Sequence, residues 1–306
     1  MKSQNQRQKR VEGEAPSALQ MEGATRAPMI DPRWYQITVL SCLFLYGVFA
    51  LDFEIDLPQA IFTLLTVLFI QYFCTLIWKL PVYDPKSALI SGLSLCLLLR
   101  TQSLLLVFLA ALITILSKFV LRWNKKHIFN PTNFGIVAMI LFTGEVWVSP
   151  GQWGSIAFFA FLIACLGGLV VNRASRSDVT FVFIFFYLAF LFGRSLSLGE
   201  PMTIPLHRLE SGALLLFTFF MISDPKTTPN SRFGRTLFAF LVALGTWYVQ
   251  FKLFRTNGLL WSLALFSTLV PLIDWLLPGK KYEWKGVSHE TNASLSSHPA
   301  PQPLVS

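Results

Sequence analysis

Apolar residues in this chain do not alternate with polar ones at helical or strand spacing. They come in long runs, such as Ile61 to Trp78 and Trp153 to Val171. Runs of about 20 apolar residues span a hydrocarbon core as helix. The period-two alternation of a membrane barrel is absent from them. The pattern predicts about ten apolar segments, at 34–51, 61–78, 88–99, 104–121, 131–142, 153–171, 179–192, 212–222, 233–254 and 259–277. The expected fold class is therefore all-α integral membrane, and an even number of spans returns both termini to one side.

Basic residues choose that side. Lys79 and Lys86, then Arg122, Lys125 and Lys126, then Arg173 and Arg176, then Lys226, Arg232 and Arg235 fall on alternate connections. The two tails add Lys2, Arg7, Lys9, Arg10, Arg26, Arg33, Lys280, Lys281 and Lys285. The other side holds Arg100, Arg194, Arg208, Lys252 and Arg255, with the acidic group Asp52, Glu54 and Asp56. Positive charge favours the cytoplasmic side, so both termini are expected there, in a bacterial inner or plasma membrane. Residues 1–33 read as a disordered polar arm with no cleavable signal peptide, and 279–306 as a disordered tail.

Landmarks recur in order between 34–145 and 146–278, read as two membrane repeats. Ser91-Gly92 answers to Ser211-Gly212, and Asn130-Pro131 answers to Asn257-Gly258. An odd number of spans in each half points the halves in opposite directions, an inverted repeat. The segments 88–99 and 212–222 are corresponding and short. At 1.5 Å per residue, about a dozen residues cover only about 18 Å of a roughly 30 Å core. Paired short segments point to a binding site at the midplane. Read as ordinary tilted spans completed by polar ends, they carry no such site. Asn130 caps a helix whose first residue is Pro131. Ser223-Asp224-Pro225-Lys226-Thr227-Thr228-Pro229 makes a shaped connection in which Asp224 is either a site ligand or a turn carboxylate.

Composition removes several chemistries. The chain is 54% hydrophobic and 13% charged, against about 25% charged in soluble domains. The net charge of +9 belongs to the sided loops and does not argue for a nucleic-acid partner. Cys42, Cys74, Cys96 and Cys165 lie inside apolar runs and share no metal-ligand spacing. His127 and His207 sit at ends of different segments. No nucleophile–base set and no metal site are expected.

In order, Ser91-Gly92, Asn130-Pro131-Thr132-Asn133-Phe134-Gly135, Ser211-Gly212 and Ser223-Asp224-Pro225-Lys226-Thr227-Thr228-Pro229 resemble the NqrB/RnfD family of electron-transport membrane subunits. The resemblance covers about residues 31 to 277. It implies ten helices in two inverted five-helix repeats, and a membrane subunit of a redox-driven ion pump that carries flavin. The short, stand-alone form is similar to UnbU-like members. Flavin-carrying members attach FMN through a Thr in a Ser-Gly-Ala-Thr type motif. The similar string here, Ser211-Gly212-Ala213-Leu214, ends in Leu. The expectation is therefore a non-covalent flavin, FMN or riboflavin, with redox partner proteins. The candidate binding residues are Ser91, Gly92, Asn130, Ser211, Gly212 and Asp224, shaping a midplane site for flavin or solute. A channel or transporter for a small polar solute or ion, without a redox cofactor, is the alternative. A non-catalytic scaffold that docks partners through its tails is a third reading.

Overall fold

The structure, a computed structural model, describes residues 31–49, 55–124, 126–149, 162 and 177–281. The expected segment 153–171 lies outside the described residues apart from Leu162, and so do the tail from 282 and the arm up to residue 30. The first half contributes α1 (Pro32–Phe49), α2 (Leu57–Ile77), α3 (Lys86–Leu98), α4 (Leu104–Val120) and α5 (Pro131–Thr143). The second contributes α6 (Ser177–Leu198), α7 (Thr203–Leu209), α8 (Gly212–Leu216), α9 (Arg232–Phe251), α10 (Gly258–Ser267) and α11 (Val270–Leu276). A π-helical turn, Phe217–Met221, continues α8 directly.

Two-residue strands tie the connections. β1 (Leu99–Arg100) pairs antiparallel with β4 (Trp147–Val148), and β2 (Arg122–Trp123) pairs with β3 (Lys126–His127). The β2–β3 hairpin turns through Asn124, whose φ of 49° is left-handed, a conformation that Asn tolerates better than most residues. α5 stops at Gly144, with φ 66°, where a side chain would be strained.

α2 states the solvent. Its buried face carries Thr63, Thr66, Gln71 and Thr75, while Ile61, Leu65, Phe69, Phe73 and Leu76 are exposed. A soluble helix buries its apolar stripe; here the polar face is inside, as hydrocarbon demands. Thr63 and Thr75 hold their hydroxyls on the carbonyls of Gln59 and Gln71 at 2.8 Å, so neither donor is left open. Among the described residues, α2 and α6 are each long and apolar enough to cross a membrane alone. α10 and α11 make a third crossing if taken together, bent by 49°. The sequence reads this last stretch as one span. Pro271, in the first turn of α11, lacks the N–H that would bond a carbonyl one turn back, and the helix breaks there.

Small residues set the close contacts. α2 packs on α3 and α4, and α4 on α5. A Cβ on Gly92 of α3 would lie 2.8 Å from Val67 of α2, and one on Gly135 of α5 would lie 1.9 Å from the Thr114 hydroxyl of α4. In the second half α6 packs on α9 and α9 on α10, with Gly245 of α9 against Phe266 and Ser262. α5 meets α10 between the halves.

Candidate functional site

Both short helical segments reach the same polar layer through the same tetrapeptide chemistry. α3 starts from Asp84-Pro85-Lys86-Ser87, and the π turn runs out into Asp224-Pro225-Lys226-Thr227. Asp84 Oδ1 accepts the Lys86 N–H at 3.2 Å, and Asp224 Oδ1 accepts the Lys226 N–H at 3.0 Å. The Asp side chain thus closes its own turn around a proline that offers no N–H. Arg33 pairs with Asp84. Lys118, buried in the last turn of α4, donates to the Ser87 carbonyl at 2.9 Å and to its hydroxyl at 3.1 Å. Lys226, Asp224 and Asp84 all lie within electrostatic reach of the Lys118 ammonium. Burial holds the Lys226 ammonium below the ordinary lysine range; Asp224 opposes this, while Arg33 and Arg122 add to it. The repeated Asp-Pro-Lys-Ser/Thr is legible in the sequence, but the sequence reading marks only the second copy as a candidate and leaves Asp84 unmarked.

Asn130 caps α5. Its Oδ1 accepts the Asn133 N–H at 3.1 Å, and its Nδ2 reaches the Met221 carbonyl at 3.5 Å. The Asp224 N–H approaches the same carbonyl at 3.5 Å. A π turn bonds each N–H five residues back, as Ile222 does to Phe217 at 3.0 Å, and leaves carbonyls for side-chain donors. Thr180 uses one of them, donating to the Thr218 carbonyl at 3.2 Å. Asn133 Nδ2 donates to the Leu260 carbonyl of α10 at 3.2 Å. Deeper in, Asn133 Oδ1, Thr218 Oγ1, Thr114 Oγ1 and Ser262 Oγ are buried with no hydrogen-bond partner. Buried polar atoms are nearly always satisfied in folded proteins, so each of these calls for a partner, as do Gln71 Oε1, His127 Nδ1, Gln250 Oε1 and Ser267 Oγ. Asn133 lies inside the Asn130 motif and Thr218 three residues before Met221, yet nothing in their local sequence sets them apart from an ordinary helix turn.

The structure gathers Asn130 and Asp224 around Met221 and does not gather the other candidates with them. Ser91 gives its hydroxyl to the Ser87 carbonyl at 3.1 Å, and Gly92 is filled by Val67 and Leu64. Ser211 and Gly212 lie at the start of α8, separated from Asp224 by the whole of α8 and its π turn, roughly 15 Å at the helical rise.

Ion pairs flank this layer. Arg235 holds Asp178 at 2.6 Å and donates to the Asn230 carbonyl at 2.9 Å. Lys126 Nζ sits 2.8 Å from Asp274 Oδ2, and the Asn230 N–H donates to Asp274 Oδ1 at 2.6 Å. On the remote side Arg194 grips Glu200 through both carboxylate oxygens at 2.7 and 2.8 Å; this bond holds the Glu200 carboxyl below its usual range. Burial pushes His127 down to about 3, and Lys226, Arg122 and Lys118 push the same way. Among the described residues no three His, Cys, Asp or Glu side chains are arranged to hold a metal ion.

Residues 138–283 match the model of the NQR2, RnfD, RnfE family. The chain is 30% identical over 154 residues to an RnfD-type protein of Erwinia tasmaniensis, named as part of an ion-translocating oxidoreductase complex. Over this stretch the chain is NqrB/RnfD-like. The Erwinia match covers 50% of this chain and 39% of the relative. The corresponding protein of Alcanivorax borkumensis is 29% identical over 49% of this chain and 42% of its own length. That of Escherichia coli O9:H4 is 28% identical over 46% of this chain and 39% of its own. These matches span about two fifths of the length of the relatives. For an NqrB/RnfD member, lipid-facing apolar helices around a polar interior are the expected build of an integral membrane subunit.

Proposed function

We propose that this chain is the membrane subunit of a redox complex and that it holds a flavin non-covalently between its two halves. The relatives named as subunits of ion-translocating oxidoreductase complexes support the redox class. The observation that carries the site is the buried, partnerless set Asn133 Oδ1, Thr218 Oγ1 and Thr114 Oγ1. Asn133 and Thr218 each lie three residues inward from the Asn130–Met221 contact. An amide oxygen and hydroxyls suit the imide edge of an isoalloxazine, which offers an N–H flanked by carbonyls. These residues carry no charge and so suit a neutral ring edge; their two Thr hydroxyls lie outside a Ser-Gly-Ala-Thr type string, which is the context in which flavin-carrying members attach FMN.

Flavin, when bound, supplies one- and two-electron transfer. The chain's own part is placement. Asn130 fixes the start of α5 and so the position of Asn133. Asp224 and Met221 fix the end of the π turn and so the position of Thr218. Close packing of Gly135 on Thr114 fixes where the Thr114 hydroxyl stands. The reading includes two inverted five-helix repeats with both termini in the cytoplasm. Its support is that α2, α4 and α5 pack in the same succession as α6, α9 and α10. Redox partner proteins dock on the same complex.

The test is a flavin assay on detergent-purified protein before and after denaturation. Flavin released on denaturation supports the reading; flavin retained on the chain overturns its non-covalent form; repeated preparations that are folded and flavin-free overturn it. The broken α10–α11 pair and the two short helical segments favour one alternative, passage of a small polar solute or ion. Flux into proteoliposomes without an electron donor would select that alternative.

A further inference from the structure

A second feature lies outside the polar interior. A cleft of about 690 Å³ opens between the β2–β3 hairpin of the first half and α11 with its following residues in the second. Its walls are amphipathic. Ile128, Val270 and Leu272 line it together with Lys126, Asp274 and Lys281. Trp123 and Trp275 flank it, 59% and 76% exposed. Asp274 is already answered by Lys126 and by the Asn230 N–H, so the surplus charge of the lining is the exposed ammonium of Lys281. Lys280 precedes it in the chain, and Arg122 precedes Trp123 on the opposite wall. The wall is built to stay: a Cβ on Gly279 would lie 2.6 Å from the Ser231 backbone nitrogen, so the segment after α11 is seated against residues 230–231.

We propose that this cleft binds the headgroup of an anionic phospholipid, with its phosphate on Lys281 and its glycerol region between the two indoles. Three observations select this occupant. Indole side chains exposed at a helix end prefer the membrane interface, where one edge is wet and the ring is not. Basic pockets at the end of a helical bundle attract anionic headgroups from the same leaflet. The apolar floor continues from the cleft to the lipid-facing surface of α11, where Leu272 is half exposed, so acyl chains leave without crossing polar ground. A headgroup seated here would wedge the hairpin against α11 and brace the Lys126–Asp274 contact between the halves.

The experiment is thermal unfolding of the full chain in detergent, titrated with phosphatidylglycerol, phosphatidylcholine or glycerol phosphate, on wild type, Lys281→Gln and Trp275→Ala. Both substitutions are on exposed side chains, and the lipid-free melting curve of each variant reports its folding directly. The expected result is a rise in Tm with phosphatidylglycerol that phosphatidylcholine does not match. Lys281→Gln should weaken the apparent affinity about fivefold, the contribution of one lysine near an anionic surface. Trp275→Ala should weaken it as well. Equal effects of the two lipids would overturn the proposal. So would an equal effect of glycerol phosphate, which marks a soluble-anion site, or a phosphatidylglycerol effect unchanged in both variants. Should either variant unfold, Lys281→Arg, which keeps the charge, must retain the wild-type response.

Discussion

Asp84 and Asp224 close the same turn at opposite ends of two short helical segments. Each accepts the backbone N–H of the lysine two residues on, at 3.2 and 3.0 Å. One begins a helix and the other ends one, so the two segments run oppositely from a shared polar layer that also contains Lys118. Asn in place of either Asp keeps the acceptor oxygen and removes the charge. Asp224→Asn is therefore expected to keep the melting temperature close to wild type while lowering electron transfer in the reconstituted complex. Asp224→Ala should lower both. Equal activity in all three proteins would deny the layer a functional part.

Asn130 acts on both halves at once, capping α5 and reaching Met221. Asn130→Ala should cost about 1 kcal/mol, the usual value of a lost cap. Asn130→Asp keeps the capping oxygen but loses the donor to Met221. If the Met221 contact positions the π turn, the Asp variant melts near wild type yet binds flavin more weakly; a fluorescence titration would read the difference.

Gly135 and Thr114 are a close pair of helix faces. Gly135→Ala places a methyl where the Thr114 hydroxyl stands, and overpacking of this kind costs about 1–3 kcal/mol. Thr114→Ala removes the oxygen and should restore part of the loss in the double variant. A double-mutant cycle with no coupling would show that α4 and α5 are held apart by something else.

Lys126 and Asp274 bind residues 148 positions apart. Both side chains are 17% exposed, so the pair is partly screened and worth less than a fully buried one. Asp274→Ala removes the carboxylate that the Lys126 ammonium and the Asn230 N–H share, at about 2 kcal/mol. Limited proteolysis of the β2–β3 hairpin should then accelerate.

His127 gives a pH dependence. Burial first, then Lys226, Arg122 and Lys118, hold it down to about 3, against about 6.5 when unfolded. Below about pH 6.5 the unfolded chain binds a proton that the folded chain refuses, so stability falls as pH drops toward 3, by up to about 1.4 kcal/mol per unit. His127→Gln should flatten that slope in melting curves between pH 7 and 4. An unchanged slope would assign the acid sensitivity to other groups.

The membrane class is readable in the sequence because long apolar runs need no partner to be recognised. Helix starts at Leu104, Pro131 and Gly212 are readable too, since proline, glycine and hydroxyl caps act within a few residues of themselves. The capping role of Asn130 and the turn formed by Asp224 follow from the same local logic. What tertiary structure decides is everything that depends on distant partners. The π turn at Phe217–Met221 exists because Asn130 and Thr180 take up carbonyls there. The bend at Pro271 is hidden inside one apolar run. Asp84 becomes visible as the counterpart of Asp224 only when both turns meet Lys118. Ser211 and Gly212 look equivalent to Ser91 and Gly92 in the chain, yet packing leaves them a helix length away from Asp224. Periodicity records which solvent each residue meets; it carries no record of which helix comes to lie beside it.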